Sequence, residues 1–446
     1  MSAAGVLLST IDASIVNIAL PTISDIFKTS VQTTAWVSIS YLLVITALLL
    51  IFGRLSDVYG QKLIFMSGLI IFTLGSALCA ISGTITELIF FRAIQGVGAA
   101  MIVSNTSAIV TNAFPPEQRG TGLGVIGAVV SVGLMAGPPL GGLLIHYWGW
   151  NYIFLVNVPI GIAAIILTLK VLPEHKAHLG AKAFHPLDSI LWMLGIIAFV
   201  SVFGIAGQEN PIVIAIAGSA TLSLIFLAVF YRRQIKSNSP LLNPYFFKND
   251  IFMFASVAGL FANMAMIGLV FMLPFFMENT LHMTPLQTGY ILITIPATTA
   301  FASPISGFLS DKLGQRLIAS LGVIISTTGV CLMLLLRENS SSLHMILNLA
   351  IFGLGVGMFG TPNNSALMGS VDIKDRGSAG GVLATIRNLG MVSGLGIMSV
   401  IFNYGIHKSA DADVIKYARA FNSSLPVVIG ISIIALVFSA IRKSVK

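Results

Sequence analysis

The sequence predicts an all-α protein that crosses a membrane many times, and three observations lead to this fold class. Of its 446 residues, 56% are hydrophobic and only 9% are charged, whereas a soluble domain has roughly 25% charged residues. The apolar residues fall into runs of about 20, the length of a helix that spans a bilayer. Short polar turns separate the runs. So few charges could not solvate the surface of a soluble fold of this size, which excludes the soluble classes.

The apolar runs number fourteen. In chain order they lie near 4–22, 33–53, 63–83, 87–110, 120–145, 150–171, 187–206, 211–231, 251–276, 286–309, 316–336, 343–366, 378–402 and 424–441. Most Lys and Arg residues fall in the turns on the same side of the membrane as the two chain ends. Because positively charged turns stay on the cytoplasmic side, we expect both termini to be cytoplasmic. The even number of runs agrees with this orientation.

One polar segment occurs twice in the chain. GRLSDVYGQK at 53–62 follows run 2, and GFLSDKLGQR at 307–316 follows run 10. A second pair, RGTGLGV at 119–125 and RGSAGGV at 376–382, opens runs 5 and 13. Parallel repeats of this kind indicate two similar bundles related by an axis along the membrane normal, with a site between them near the midplane.

The repeat divides the chain into three predicted regions. Residues 1–172 form an N-terminal six-helix bundle, residues 173–249 form a two-helix insertion with flanking cytoplasmic linkers, and residues 250–446 form a C-terminal six-helix bundle. This duplication suits a protein that rocks one half against the other. A receptor or a structural membrane protein has no need of it.

Five motifs in these runs resemble those of the major facilitator superfamily, and more narrowly of its fourteen-span drug:proton antiporters, the QacA/EmrB-like exporters. They are IDASIVNIALP (11–21), GRLSDVYGQK (53–62), LIFFRAIQGVGAA (88–100), GLMAGPPLGGLL (133–144) and WGWNYIFLVNVPIG (148–161). The resemblance covers nearly the whole chain. It implies a major facilitator fold arranged as 6+2+6 helices in the plasma membrane. It also implies proton-coupled export of lipophilic, often cationic drugs by alternating access.

The repeated polar segment is the candidate gating motif. Its residues are Gly53, Arg54, Asp57, Gly60 and Lys62, with Asp311 in the second copy. We interpret it as a tight turn whose carboxylate can face a helix N-terminus, where the dipole favours an anion. The resemblance implies that this helix is span 13, opening at Arg376, and that the contact holds the cytoplasmic side shut. The alternative is that Asp57 is a solvated turn charge of little consequence.

Three ionisable residues in or at the end of apolar runs are candidates for proton coupling. Asp12 and Arg92 lie well inside their runs, where a charge is costly and indicates function by default, although they could also form a purely structural pair. The resemblance implies that Arg92 tunes the acid, with Gln95 one turn further on. Glu278 ends span 9, where relatives usually carry Gln. It is either a second titratable acid or a solvated residue on the outer face.

Span 5 carries the candidate hinge motif, Gly133, Gly137, Pro138, Gly141 and Gly142. Glycines at this spacing allow close helix contact, and proline kinks a helix. The motif is therefore a hinge or a tight seam between the halves, and passive packing is an equal alternative.

The predicted substrate cavity is apolar and lies between the halves. Aromatic and Met side chains there would suit a lipophilic cation, although any single Phe could instead face lipid or the core. The candidates are Trp36, Tyr41, Gln95, Phe261, Asn263, Met264, Phe271, Phe275, Tyr290, Arg387 and Asn388.

The motifs do not indicate an enzyme. The sequence shows no nucleotide-binding motif, zinc constellation or nucleophile triad, so we expect no cofactor, no metal and no nucleic-acid partner. An ion gradient would then drive transport, with protons, lipophilic cationic small molecules and membrane lipid as partners. The alternative function is export of a specific endogenous metabolite, lipid or peptide by the same fold.

Two further acids are expected to have no part in transport. Asp188 is expected to be a charge at a helix start, and Glu209 a solvated charge in an outer turn.

Overall fold

The computed structural model describes residues 2–113, 119–172, 185–208, 211–237, 240–372, 375–408 and 413–443, and these residues form helices without strands. The helices are α1 Ser2–Phe27, α2 Val31–Tyr59, α3 Gln61–Ala80, α4 Ile85–Ala113, α5 Arg119–Tyr147, α6 Tyr152–Leu155, α7 Asn157–Val171, α8 Pro186–Ala206, α9 Val213–Lys236, α10 Asp250–Asn279, α11 Pro285–Leu292, α12 Thr294–Leu313, α13 Gln315–Met333, α14 Ser342–Gly369, α15 Arg376–Lys408 and α16 Asp413–Ile441. Helices α6 and α7 form one span, as do α11 and α12. The described residues thus hold 14 candidate membrane spans, which confirms the predicted fold class.

The gating motif lies in a helix and not in a turn, which corrects the expectation from the sequence. Helix α2 continues through Asp57 to Tyr59, and α3 begins at Gln61. The polar residues between Gly53 and Gly60 include no helix breaker, so the helix continues after its apolar run ends. Gly60 ends it at φ 94°, a backbone conformation that favours glycine.

The second copy of the motif has the same backbone. Helix α12 ends at Leu313, α13 begins at Gln315, and Gly314 between them also has φ 94°. The ψ angles of Gly60 and Gly314 are 141° and 138°. The repeat in the sequence is therefore a repeat in the conformation of the chain.

The last span begins earlier than its hydropathy predicts. Helix α16 starts at Asp413 rather than near residue 424 and has 29 residues, whereas about 20 cross the hydrocarbon core. Lys416 and Arg419, which precede the predicted run, lie in its first turns. The polar residues form a helical extension that contacts the rest of the bundle, and hydropathy alone cannot detect such an extension.

The helices group into two halves with the same packing order. In the first half α1 packs on α5, while α2 and α3 pack on α4. In the second half α10 packs on α15, while α12 and α13 pack on α14. We call the end where α1 begins and α16 ends the terminal face, and the opposite end the far face.

The seam between the halves is tight toward the far face. A Cβ atom added at Gly142 of α5 would lie 2.4 Å from the carbonyl oxygen of Pro285 on α11. One added at Gly289 of α11 would lie 2.4 Å from the carbonyl oxygen of Pro138 on α5. Toward the terminal face, a Cβ at Gly377 of α15 would meet nothing within 4 Å. The halves therefore meet closely at the far face, whereas α15 is uncovered around Gly377 at the terminal face.

The inserted pair α8 and α9 lies beside the seam. Helix α8 packs on α2 of the first half and on α15 of the second. Trp192 Nε1 on α8 donates to the carbonyl oxygen of Thr46 over 3.4 Å. Asp188, in the first turn of α8 as expected, pairs with Arg233 on α9. Glu209 lies outside the described residues.

Candidate transport site

A buried ion pair at the centre of the first half joins α1 to α4. Arg92 Nη1 lies 2.7 Å from Asp12 Oδ2, and the two side chains are 1% and 0% exposed. Gln95 Nε2 and Asn157 Nδ2 donate to Asp12 Oδ1, each over 2.8 Å. The Asp12 carboxylate thus accepts hydrogen bonds from three side chains, which offset the cost of burying its charge.

The guanidinium of Arg92 is held from several sides. It lies 4.1 Å from the centroid of the Tyr41 ring, and its Nε donates to the carbonyl oxygen of Val37 over 3.1 Å. Its Nη1 also donates to Gln95 Oε1, while Gln95 Nε2 donates to Ser76 Oγ over 2.7 Å. Helices α1, α2, α3, α4 and α7 contribute to this network, which therefore fixes both charges inside one half.

The structure brings Asp12, Arg92, Tyr41 and Gln95 together, and it adds two residues that the sequence reading missed. Asn157 and Ser76 are uncharged and lie in apolar runs, so nothing singled them out as ligands of the network. The signal that could have found Asn157 is its place in the motif at 148–161, where an amide in an apolar helix needs a polar partner.

Glu278 lies near the far end of α10 and is less well satisfied than Asp12. Its Oε1 atom is buried and has no hydrogen-bond partner among the described residues. The neighbouring charge that acts on it is Asp25, which is exposed near the far end of α1. The two acids predicted for proton coupling therefore have opposite environments. The Asp12 carboxylate accepts three hydrogen bonds, whereas Glu278 Oε1 accepts none from the described residues.

The gating motif lies at the terminal face. Arg54 Nη1 is 3.6 Å from Asp57 Oδ2, and the two side chains are part-exposed. In the second copy Asp311 is exposed. The start of α15, the predicted partner of Asp57, is uncovered around Gly377. A contact between Asp57 and α15 that closes this face stays a prediction.

The hinge motif packs on two neighbours. Cβ atoms added at Gly133, Gly137 and Gly141 would clash with or crowd α1, the closest contact being 1.8 Å to Ser14 Oγ from Gly137. Gly142 and Pro138 contact α11 of the other half as described above. Helix α5 runs through Pro138 without ending. The motif therefore serves as a close-packed seam in this conformation.

The predicted cavity residues divide by burial. Phe271 and Phe275 are fully buried and pack on Phe402, with ring centroids 6.5 and 6.0 Å from it. Met264 and Asn388 are also buried. These four are enclosed in the second half, so contact with a substrate would require its packing to open. The candidates with accessible surface are Trp36, Phe261, Asn263, Tyr290 and Arg387.

Arg387 is a cation without a counter-ion in the middle third of α15. Its side chain is exposed. Among the described residues it has neither a hydrogen-bond partner nor an acidic neighbour. An arginine in a membrane span usually pairs with an acid or faces a water-filled cavity, so Arg387 stays a candidate for the substrate cavity.

Two other features do not form the site. Within the described ranges, no group of His, Cys, Asp or Glu residues could hold a metal ion. An apolar crevice of about 450 Å³ lies among residues of the first half, near the far face. Its lining is Leu144, Trp148, Tyr152, Leu155, Val156 and Pro159. Tyr and Trp are typical of the membrane interface, so lipid is a natural occupant of this crevice.

The architecture is that of a transporter: two repeated six-helix halves, a buried polar core, and a seam closed at one face. The sequence profile of the Major Facilitator Superfamily matches residues 3–395 and 255–444. The chain belongs to this superfamily. It is a transporter and not an enzyme, and it is a multi-pass integral protein of the cell membrane.

Curated relatives cover nearly the whole chain. The riboflavin transporter RibZ of Clostridioides difficile is 34% identical over 98% of this chain and 94% of its own. The multidrug transporter protein MdtP of Bacillus subtilis is 29% identical over 89% of this chain and 73% of its own.

Solved structures share the fold at low identity. An inward-facing, unoccupied bacterial homologue of the human lysosomal transporter Spinster has a TM-score of 0.67 and 15% identity, over 99% of this chain and 95% of that one. The human organic anion transporter MFSD10 has a TM-score of 0.67 and 14% identity, over 98% and 97%.

Proposed function

We propose that this protein is a proton-coupled transporter of planar aromatic molecules, with riboflavin as the first candidate substrate. The observation that carries the proposal is the balance of charge in the middle of the spans. The Asp12 carboxylate is neutralised by Arg92 inside the first half, whereas Arg387 has no acidic neighbour among the described residues. A cationic drug would find no free carboxylate at this level and would be repelled by Arg387.

A flavin suits these groups chemically. Its ring carries carbonyl oxygens that can accept hydrogen bonds from a guanidinium, which is a donor only. Its flat face can stack on aromatic side chains, and Phe261 has accessible surface for such contact. The similarity to a riboflavin transporter over 98% of the chain supports the same choice.

Export of lipophilic, often cationic drugs is the second candidate function. The five motifs resemble the QacA/EmrB-like branch, and several relatives at about the same identity carry multidrug names. Half-buried aromatic and Met side chains adapt to varied ligands. This candidate would require an acid other than Asp12 to face the substrate.

The coupling ion in this proposal is the proton, and Glu278 is the first candidate to bind it. Its Oε1 atom has no donor, whereas three side chains donate to the Asp12 carboxylate. A proton moving inward releases about 2.3 kcal/mol per 100 mV and about 1.4 kcal/mol per pH unit. Exchange of one proton for a neutral flavin would use both terms. Antiport is the proposed direction because span 5 carries the antiporter-type motif.

The proposed orientation places the terminal face in the cytoplasm, because positive charge concentrates there. The conformation described here is then open toward the inside. Alternating access would close the terminal face through the motif around Asp57 and open the far face by parting α5 from α11.

The test is transport in proteoliposomes that contain the purified protein and an imposed pH gradient. Riboflavin and ethidium are measured in the same vesicles by their fluorescence, with and without a protonophore. The variant Arg387→Gln is compared with Arg337→Gln, an exposed arginine beyond α13 near the far face.

The expected result is gradient-driven riboflavin movement that the protonophore abolishes. Arg387→Gln should lower its rate at least about tenfold, the effect of losing roughly 1.4 kcal/mol of binding, while Arg337→Gln leaves it unchanged. Ethidium movement without riboflavin movement would establish the second candidate. Transport of riboflavin or ethidium at the same rate with and without the protonophore would contradict proton coupling.

A further inference from the structure

Asp25 and Glu278 occupy equivalent positions in the two halves. Asp25 follows Pro21 by four residues in α1, and Glu278 follows Pro274 by four residues in α10. Helices α1 and α10 are the first helices of the two halves, and they pack on each other across the seam. The repeat therefore places one acid near the far end of each of these two packed helices.

The two carboxyl groups interact as like charges. Asp25 lies close enough for its negative charge to act on Glu278. Glu278 Oε1 is buried without a hydrogen-bond partner among the described residues, while Asp25 is exposed at the far face. Keeping the ionised Glu278 carboxylate buried near the negative charge of Asp25 costs free energy. One proton bound by the pair would remove the repulsion.

Other charged groups at the far face lie on the elements around α10. They are Lys28 after α1, His282 after α10, His344 on α14, His407 and Lys408 on α15, and Lys416 and Arg419 on α16. Asp25 is the charged group whose field acts on Glu278 among the described residues. The buried Oε1 atom of Glu278 accepts no hydrogen bond from any of these groups.

We propose that Asp25 and Glu278 form one proton-binding site across the seam, which holds the far face closed when it carries a proton and opens it when both groups are ionised. This inference deepens the proton coupling proposed above, but it does not depend on the substrate. It gives the repeat a chemical use, because the site exists only when the two halves meet.

The site also gives a direction to coupling. If the far face is outside, an external proton that binds the pair removes the repulsion and closes that face. The proton is then carried in the conformation that is open to the inside. Release of the proton from Glu278, the buried member of the pair, toward the side that is open to the inside restores the repulsion and returns the seam to its outward-open state. The proton would thus drive the conformational cycle from a position remote from the substrate.

The experiment measures the two faces of the purified protein by double electron–electron resonance. Cys79 and Cys331, the two native cysteines, are replaced by Ala. One label pair, Ile81→Cys and Leu335→Cys, reports on the far face. The other, Tyr59→Cys and Leu313→Cys, reports on the terminal face. The four chosen side chains are 58–76% exposed, and the members of each pair are equivalent in the repeat.

The distances are recorded from about pH 5 to about pH 9, the range in which perturbed carboxyl groups titrate. In the otherwise unsubstituted protein we expect the far-face distribution to shift from short to long as pH rises, with the opposite shift at the terminal face. Asp25→Asn and Glu278→Gln should each abolish the shift and keep the far face closed, because repulsion needs both charges. Glu338→Gln, an exposed acid beyond α13, should leave the shift unchanged.

A charge reversal sharpens the test. Asp25→Lys replaces repulsion by attraction, so the far face should stay closed as pH rises. A pH shift that persists in the Asp25→Asn/Glu278→Gln double variant would overturn the proposal, as would the absence of any shift in the unsubstituted protein. Since no substrate is present, a shift that depends on the pair supports the site even if riboflavin and ethidium are not transported.

Discussion

Arg92 Nη1 lies 2.7 Å from Asp12 Oδ2 in the centre of the first half, and both side chains are buried. A buried ion pair is expensive to form, and its Coulomb energy repays that cost only with good geometry and additional hydrogen bonds. Gln95 and Asn157 supply those bonds. The network therefore specifies how α1, α4 and α7 meet, whatever further part Asp12 has in coupling.

Removing one charge from this pair should be worse than removing both. Arg92→Gln leaves an unpaired buried carboxylate, which costs about 3–5 kcal/mol. The double variant Asp12→Asn/Arg92→Gln leaves two neutral amides that can bond to each other. We expect thermal unfolding of the purified protein in detergent to show a large loss for Arg92→Gln and a partial recovery for the double variant.

The matched single variant is Asp12→Asn, which tests coupling separately. If Asp12 is structural, proteoliposomes with Asp12→Asn should retain protonophore-sensitive transport at reduced stability. Equal unfolding temperatures for Arg92→Gln and the double variant would show that the pair is not energetically coupled. Loss of gradient-driven transport in a stable Asp12→Asn protein would return the proton site to Asp12.

The close seam at the far face predicts that a single methyl group disturbs the conformation. Gly289→Ala would place a Cβ atom 2.4 Å from the carbonyl oxygen of Pro138, and that backbone atom can move only if α5 and α11 part. Overpacking of this kind costs typically 1–3 kcal/mol. We expect the Ile81/Leu335 label distance to lengthen in Gly289→Ala.

The control for this change is Gly127→Ala on α5, where an added Cβ atom would meet nothing within 4 Å. Its distance distribution should match that of the unsubstituted protein. If both variants behave alike, the closeness of α5 and α11 does not set the balance between the two conformations.

The sequence predicted the fold and the central pair for physical reasons that are local. Hydropathy reports apolar length, so all fourteen spans were found, and a charge inside an apolar run is conspicuous, so Asp12 and Arg92 were found. Asn157 was missed because it carries no charge and lies singly in an otherwise apolar run. Asp25 was missed because α1 extends to Phe27, beyond the predicted end near residue 22. The gating motif was placed in a turn because polarity was taken as the end of a helix.

The gating motif predicts a change in conformation without loss of folding. In the proposed cycle Asp57 meets the positive N-terminal end of α15 when the terminal face closes, an interaction worth about 0.3–1 kcal/mol near the surface and up to about 2 when partly buried. Asp57→Asn should therefore favour the open terminal face and lengthen the Tyr59/Leu313 label distance. Transport should fall while the unfolding temperature stays the same.

Asp57→Glu serves as the matched control because it keeps the charge at the same position. It should recover part of the transport lost in Asp57→Asn. A closed terminal face in Asp57→Asn, or equal defects in the Asn and Glu variants, would contradict a charge-dependent contact with α15.

The inserted helix α8 predicts a link between the halves. A Cβ atom at Gly204 of α8 would lie 2.6 Å from the Trp36 ring on α2, and one at Gly396 of α15 would lie 2.5 Å from the Phe203 ring on α8. Helix α8 is thus wedged between one helix of each half. Gly204→Val should push it from α2, at a cost of about 1–3 kcal/mol, and lower both the unfolding temperature and the transport rate.

Gly218→Val on α9 is the control, since a Cβ atom at Gly218 would meet nothing within 4 Å and the helical propensity change is the same. It should behave like the unsubstituted protein. If Gly204→Val also keeps its stability and transport, α8 merely occupies space beside the seam. If Gly204→Val keeps its stability but loses transport, α8 takes part in the movement of the halves, since the static packing would be intact while the cycle is blocked.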